Sequence, residues 1–281
     1  MRIGLEKFKN IILVVIISLI IILTGAIFYY LYGNNFFKND GKGKETEVDN
    51  EISETKDTTT SDNQNVNNPN INSEIVSTVR ITLCEGFYYE PINDELKAYI
   101  TGKSYKENEY IDYSDLRCVT VQYVDFNNEV CEGKLIVNVQ VADDIMSIFK
   151  ELFDAKYQIE KIKLIDEYDA NDDASMEDNN TSAFNFRLID GQDTISDHSY
   201  GIAIDINPLY NPYVRSGFGD RDVLPVNGTV YADRTKDFEH KIVKGDVCYN
   251  AFINRGWKWG GEWNSPIDYQ HFYKEIVTVQ S

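Results

Sequence analysis

The chain has 281 residues, with 27 basic against 46 acidic side chains, a formal net charge of −19 and only three histidines. An acidic balance of this size excludes nucleic acid as a partner, since a polyphosphate must be met by cations along the contact. It also repels anionic wall polymers, so such a substrate has to be captured by a cleft and not by general attraction.

In chain order, Ile11 to Tyr32 form an apolar run without a charged side chain, preceded by Arg2, Lys7 and Lys9 against a single Glu6. The run is about as long as a bilayer-spanning helix. The positive-inside rule keeps the N-terminus in the cytoplasm and places everything beyond residue 32 outside. A cleaved signal peptide is the alternative, but the run is long, has no Ala-x-Ala site and is followed by no cysteine for lipid attachment. Residues 1–32 therefore read as a cytoplasmic tail and transmembrane anchor of a single-pass cell-membrane protein whose C-terminal domain is extracytoplasmic. Residues 33–72 are rich in Asn, Thr, Asp, Glu, Lys and Ser. They have too little apolar surface to offset the entropy of ordering, and they read as a disordered linker with a span of roughly 35 Å.

The rest suits one domain, 117–281, with residues 73–116 as an N-terminal extension. Strands are predicted over 76–84 and 117–126. A further strand over 134–141 pairs with the latter through a turn near Asn127-Asn128. Val141, Ile145, Ile148, Phe149, Leu152 and Phe153 recur at helical spacing and predict an amphipathic helix. A strand is expected over 161–166 and a short helix over 246–255, opened by Asp246. Strands come in runs and not in alternation with helices, so the fold class is α+β, an antiparallel sheet flanked by helices. The four cysteines, Cys84, Cys118, Cys131 and Cys248, lie where disulfides form. Either hairpin register sets Cys131 opposite Val124 or Asp125 and not opposite Cys118. No Cys-x-x-Cys spacing supports thiolate-bound zinc.

Chemistry concentrates in Ser196-Asp197-His198-Ser199-Tyr200-Gly201-Ile202-Ala203-Ile204-Asp205 and in Asp268-Tyr269-Gln270-His271. A catalytic zinc takes three imidazole or carboxylate ligands and leaves one position for water. His198, Asp205 and His271 fill that set, and Asp268 remains as a general base. Ile202, Ile204 and Ile206 alternate toward a core and leave Gly201, Ala203 and Asp205 on the other face. His198 would lie about 23 Å from Asp205 along a straight strand, so the chain must bend, most easily at Gly201. Asp268 and His271, three apart, come to one side through a helical turn or a bent loop. His240 sits in a charged run without such company. Arg187 is a candidate for binding a substrate carboxylate or stabilising an oxyanion, with a surface ion pair as the alternative. Ser196 either touches substrate or forms a turn. Glu262 is a rival base, and Trp257, Trp259, Trp263, Tyr269 and Phe272 read as core or cleft wall.

The pattern Ser-x-His-x-x-Gly-x-Ala-x-Asp, answered by an acidic residue, two residues and His, resembles the zinc peptidases of the D-alanyl-D-alanine carboxypeptidase and L-alanyl-D-glutamate peptidase group. These share a fold with the hedgehog signalling domain. The resemblance extends to Asn207-Pro208, Asn211-Pro212, residues 180–187 and Gly256 to Trp263, covering about residues 117–275. It implies a peptidoglycan stem peptide as substrate. Many relatives carry glutamate where this chain has Asp268, and aspartate is closer to the L-alanyl-D-glutamate endopeptidase branch. That cleavage is therefore the expectation, with D-alanyl-D-alanine carboxypeptidase activity as the alternative and a non-catalytic hedgehog-like wall-binding module as the rival of another class.

Overall fold

The computed structural model describes residues 79–276 apart from 191 and 218, all within one unit of the chain, Val66–Ser281. The expected anchor and linker lie outside these residues. Among the described residues no helix is long and apolar enough to cross a membrane.

Strands β1 (Ile81–Cys84), β2 (Phe87–Pro91), β3 (Leu116–Val124) and β4 (Val130–Asn138) form an antiparallel sheet in the order β1-β2-β3-β4. The extension before residue 117 thus supplies two of its four strands. Helix α1 (Asp94–Ile100) lies between β2 and β3 in sequence, and α2 (Ala142–Asp154) follows β4. The sheet buries apolar residues on both faces, because side chains alternate along each strand. Val119, Val121, Leu135 and Val137 join Ile145, Ile148, Phe149 and Leu152 of α2 in the main core. Leu116 and Ile136 point the other way and pack with Ile100 and Phe184. Each large aliphatic side chain buried here contributes about 1.5–3 kcal/mol. The helical periodicity of 141–153 is therefore realised, and α+β describes the result.

Several boundaries differ from expectation. The β3–β4 connection is a five-residue loop, Asp125–Glu129, and not a two-residue turn at Asn127-Asn128. The Asp125 carboxylate accepts from the N–H groups of Asn127 (2.9 Å) and Glu129 (2.8 Å), and Asn128 takes φ +65°. An odd-length loop shifts the register by one residue, so Cys131 faces Tyr123, while Cys118 faces Ile136. All four cysteines are free thiols. Strand β4 starts earlier and stops at Asn138, whose side chain caps the following turn by accepting from the Gln140 N–H. The strand expected over 161–166 shrinks to β5 (Lys161–Ile162), parallel to β6 (Asn180–Thr181), with helix α3 (Asp172–Glu177) between them. Its remainder enters a 3-10 turn.

The second half builds on short strands: β7 (Ala203–Asp205), β8 (Tyr213–Val214), β9 (Val223–Leu224), β10 (Lys258–Trp259), β11 (Ile267–Asp268) and β12 (His271–Tyr273). They form two small sheets, β10-β12-β7 and β11-β8-β9. Helix α4 (Val247–Ile253) begins at Asp246, whose side chain accepts from the Tyr249 N–H. On α4, Phe252 stacks on Phe272 of β12 at 4.1 Å between ring centroids. Asp144 of α2 accepts from both Trp257 and Lys274. These contacts fix β12 to the main core.

Candidate active site

Bend, strand and cross-strand partner together make the site. Ser196 Oγ accepts from the His198 N–H and starts a 3-10 turn, Asp197–Tyr200, which Gly201 ends at φ +68°. A Cβ on Gly201 would stand 2.6 Å from the Asn138 nitrogen, so glycine is required both for the left-handed backbone and for the close approach to β4. The chain then enters β7, where Ile204 and Ile206 reach the core. Strand β12 pairs antiparallel with β7 so that His271 lies directly opposite Asp205. Asp268 and His271 come together through a bend between two short strands and not through a helical turn. Gly260 packs so tightly on that bend that a Cβ would sit 2.7 Å from the Asp268 carbonyl oxygen.

His198, Asp205 and His271 are all buried and form a cluster able to hold a metal ion. His198 Nδ1 lies 2.5 Å from the Ala183 carbonyl oxygen, which can only accept, so this nitrogen carries the proton and Nε2 offers its lone pair. Nε2 stands 3.2 Å from His271 Nδ1 and 3.2 Å from Asp205 Oδ2. His271 Nδ1 is 3.0 Å from Asp205 Oδ1. A tetrahedral zinc with bonds of about 2.0–2.2 Å sets its ligand atoms about 3.3–3.6 Å apart, so the triangle fits such an ion with small adjustment.

Electrostatics points the same way. Burial disfavours charge on His271, but Asp197 and Asp205 outweigh it and push its pKa up to about 10. Burial would raise Asp205, yet the two imidazoles hold it well below the usual carboxylate range. The pocket is thus strongly stabilising for positive charge at its centre. Asp197 was not singled out in the sequence. Its carboxylate stands 3.6 Å from His271 Nε2, and that contact lowers its own pKa. Its position directly before His198 was the available signal.

Asp268 is half-buried, and among the described residues its buried Oδ1 has no hydrogen-bond partner. Burial first, and Asp205 second, raise its pKa to about 7. It opens with the three cluster residues onto a cleft of about 140 Å³, several times the space one water needs. Arg187 and Ser196 line the same cleft. Arg187 Nη2 pairs with Asp172 at 2.7 Å, leaving its buried Nε unpartnered among the described residues. Ser196 is the turn former described above. Glu262 is tied to Lys244 at 2.6 Å and to the Tyr249 hydroxyl, away from the cleft lining. His240 stacks on Phe126. The extension packs on the segments next to the site residues: the Ser104 carbonyl accepts from the Phe186 N–H, and Tyr110 lies edge-on to Tyr200.

The sequence model of the family described as D-alanyl-D-alanine carboxypeptidase matches residues 190–274. That span contains Ser196, His198, Asp205, Asp268 and His271 but not Arg187, and it is narrower than the 117–275 expected from motifs. No curated protein matches the chain, and no solved structure does. Residues 190–274, under a third of the chain, are thus similar to this peptidase family.

Proposed function

We propose, taking the D-alanyl-D-alanine carboxypeptidase-type domain at 190–274 as premise, that this protein is a zinc metallopeptidase cleaving peptidoglycan stem peptides outside the membrane that its N-terminal segment anchors it to. The observation carrying the reading is the convergence of His198 Nε2, His271 Nδ1 and the Asp205 carboxylate within 3.0–3.2 Å, beside Asp268, whose Oδ1 has no hydrogen-bond partner among the described residues. His198, Asp205 and His271 would hold the ion, which when bound acidifies a water and polarises the scissile carbonyl. His198 is oriented by Ala183, and His271 by Asp197.

Asp268 receives the proton of the attacking water and returns one to the leaving amine. Its pKa of about 7 suits transfer in both directions, and a cation nearby favours its ionised form. The Arg187 Nε faces the charge that develops on the carbonyl oxygen or binds a carboxylate of the peptide. Ser196 shapes the cleft wall beside it. Aspartate at 268 favours cleavage of the L-alanyl-D-glutamate bond, while the description of the matching family favours carboxypeptidase action on D-alanyl-D-alanine.

The test is to incubate full-length, detergent-solubilised protein with zinc and purified muropeptides and to read the products by mass. Release of the stem from its N-terminal alanine marks the endopeptidase, and loss of one terminal alanine marks the carboxypeptidase. Muropeptide binding without any product overturns the enzyme reading in favour of a wall-binding module.

A further inference from the structure

The mechanism above gives no task to Gln270, the residue between general base and metal ligand. Gln270 is 1% exposed and lines the cleft with Asp268 and His271. Among the described residues its Oε1 has no hydrogen-bond partner. The backbone around it is pinned: Trp259 Nε1 donates to the Tyr269 carbonyl at 2.9 Å, and the Ile206 N–H donates to the Gln270 carbonyl at 3.0 Å. Tyr269 turns aside under the Arg234 guanidinium, 4.3 Å from its ring centroid. Gln270 thus lines the cleft from a hydrogen-bonded backbone, and its side-chain acceptor meets no donor among the described residues.

Burying an amide oxygen without a partner costs free energy, and an apolar side chain of equal size would fill the space without that cost. The arrangement makes sense where a donor arrives with the ligand. Carboxylates of a stem peptide offer none at neutral pH, whereas its backbone offers an N–H at each amide.

We propose that Gln270 is a substrate-binding residue whose Oε1 accepts one backbone N–H of the peptide lying across the metal cluster. The inference rests on the peptidase reading and adds a discrimination to it: the site rejects peptides whose nitrogen at that position carries no hydrogen.

The test uses the full-length, zinc-loaded protein carrying Asp268→Ala, so that binding is read without turnover. The probes are a purified muropeptide stem and a synthetic series of the same stem, N-methylated at one amide at a time, with calorimetry as the readout. Gln270→Met should keep zinc content and melting temperature and weaken binding of the unmethylated stem by about tenfold. One methylated stem should bind the Gln270 protein equally weakly and suffer no further loss with Gln270→Met. Gln270→Glu, which keeps an acceptor and loses the amide donor, should still discriminate against that stem, and it decides the matter if the Met variant does not fold. Undiminished binding by Gln270→Met, or losses that multiply at every methylated position, overturns the inference alone. Loss of zinc in both variants overturns it by making Gln270 a support of His271. A protein with Gln270 intact that binds no stem peptide overturns the peptidase reading and this inference together.

Discussion

Replacing Gly201 by alanine tests whether the bend that brings His198 to Asp205 is what the fold depends on here. The residue lies at φ +68°, its would-be Cβ meets the Asn138 nitrogen at 2.6 Å and the Val137 carbonyl carbon at 3.1 Å, and its own carbonyl accepts from the Asn138 N–H at 2.8 Å. Left-handed backbone costs an alanine about 1–2 kcal/mol. Weakening the Asn138 hydrogen bond adds about 0.5–1.5 kcal/mol, and overpacking against backbone about 1–3 kcal/mol. The expected loss is about 3–6 kcal/mol, which for a domain of this size lowers the melting temperature by about 6–24 °C. Gly217 is the control, because it sits at φ +92° with nothing near its would-be Cβ, so Gly217→Ala should show only the conformational term of about 1–2 kcal/mol. Urea and thermal unfolding of both variants, with zinc content measured on the same samples, make the comparison. A Gly201→Ala protein within about 1 kcal/mol of the Gly217 control, zinc retained, would refute the claim that close approach to β4 fixes the bend.

His198→Ala, Asp205→Ala and His271→Ala should each remove most bound zinc, and full occupancy in any one of them shows a wrong ligand set. Asp268→Ala should keep zinc and fold but lose about 10²–10⁴ in turnover, with Asp268→Glu retaining more; unchanged turnover in the alanine variant removes the residue from the chemistry. Because Asp197 and Asp205 keep a proton on His271 up to a pKa of about 10, metal must displace it. Zinc affinity should therefore rise by about tenfold per unit between about pH 7.5 and 9, and a pH-independent affinity by chelator competition would contradict the charge reading. If residues 11–32 form an uncleaved anchor, protease added to intact protoplasts should release a fragment that starts within 33–72, and a mature protein already lacking residues 1–32 would favour a signal peptide.

The histidine and carboxylate pattern was readable from sequence because its residue types are scarce and their spacing is local: two of three histidines stand in segments with a strand-like alternation or a three-residue carboxylate offset. Helix α2 was readable from its apolar period, and the start of α4 from Asp246, for the same reason. Partners across space were not. That His271 stands opposite Asp205 follows from the β7–β12 register, and strand pairing is set by non-local packing that leaves no mark in either three-residue strand. The hairpin register turned on Asp125 closing a five-residue loop. Glu262 and Asp197 exchanged standing because Lys244 holds the one at 2.6 Å, while the fold sets the other 3.6 Å from His271. Gln270 carries no pattern at all. Its meaning comes from burial beside a cleft with an acceptor left open, and burial is a property of the whole packed chain: sequence determined which chemical groups were available, and tertiary structure decided which of them face one another.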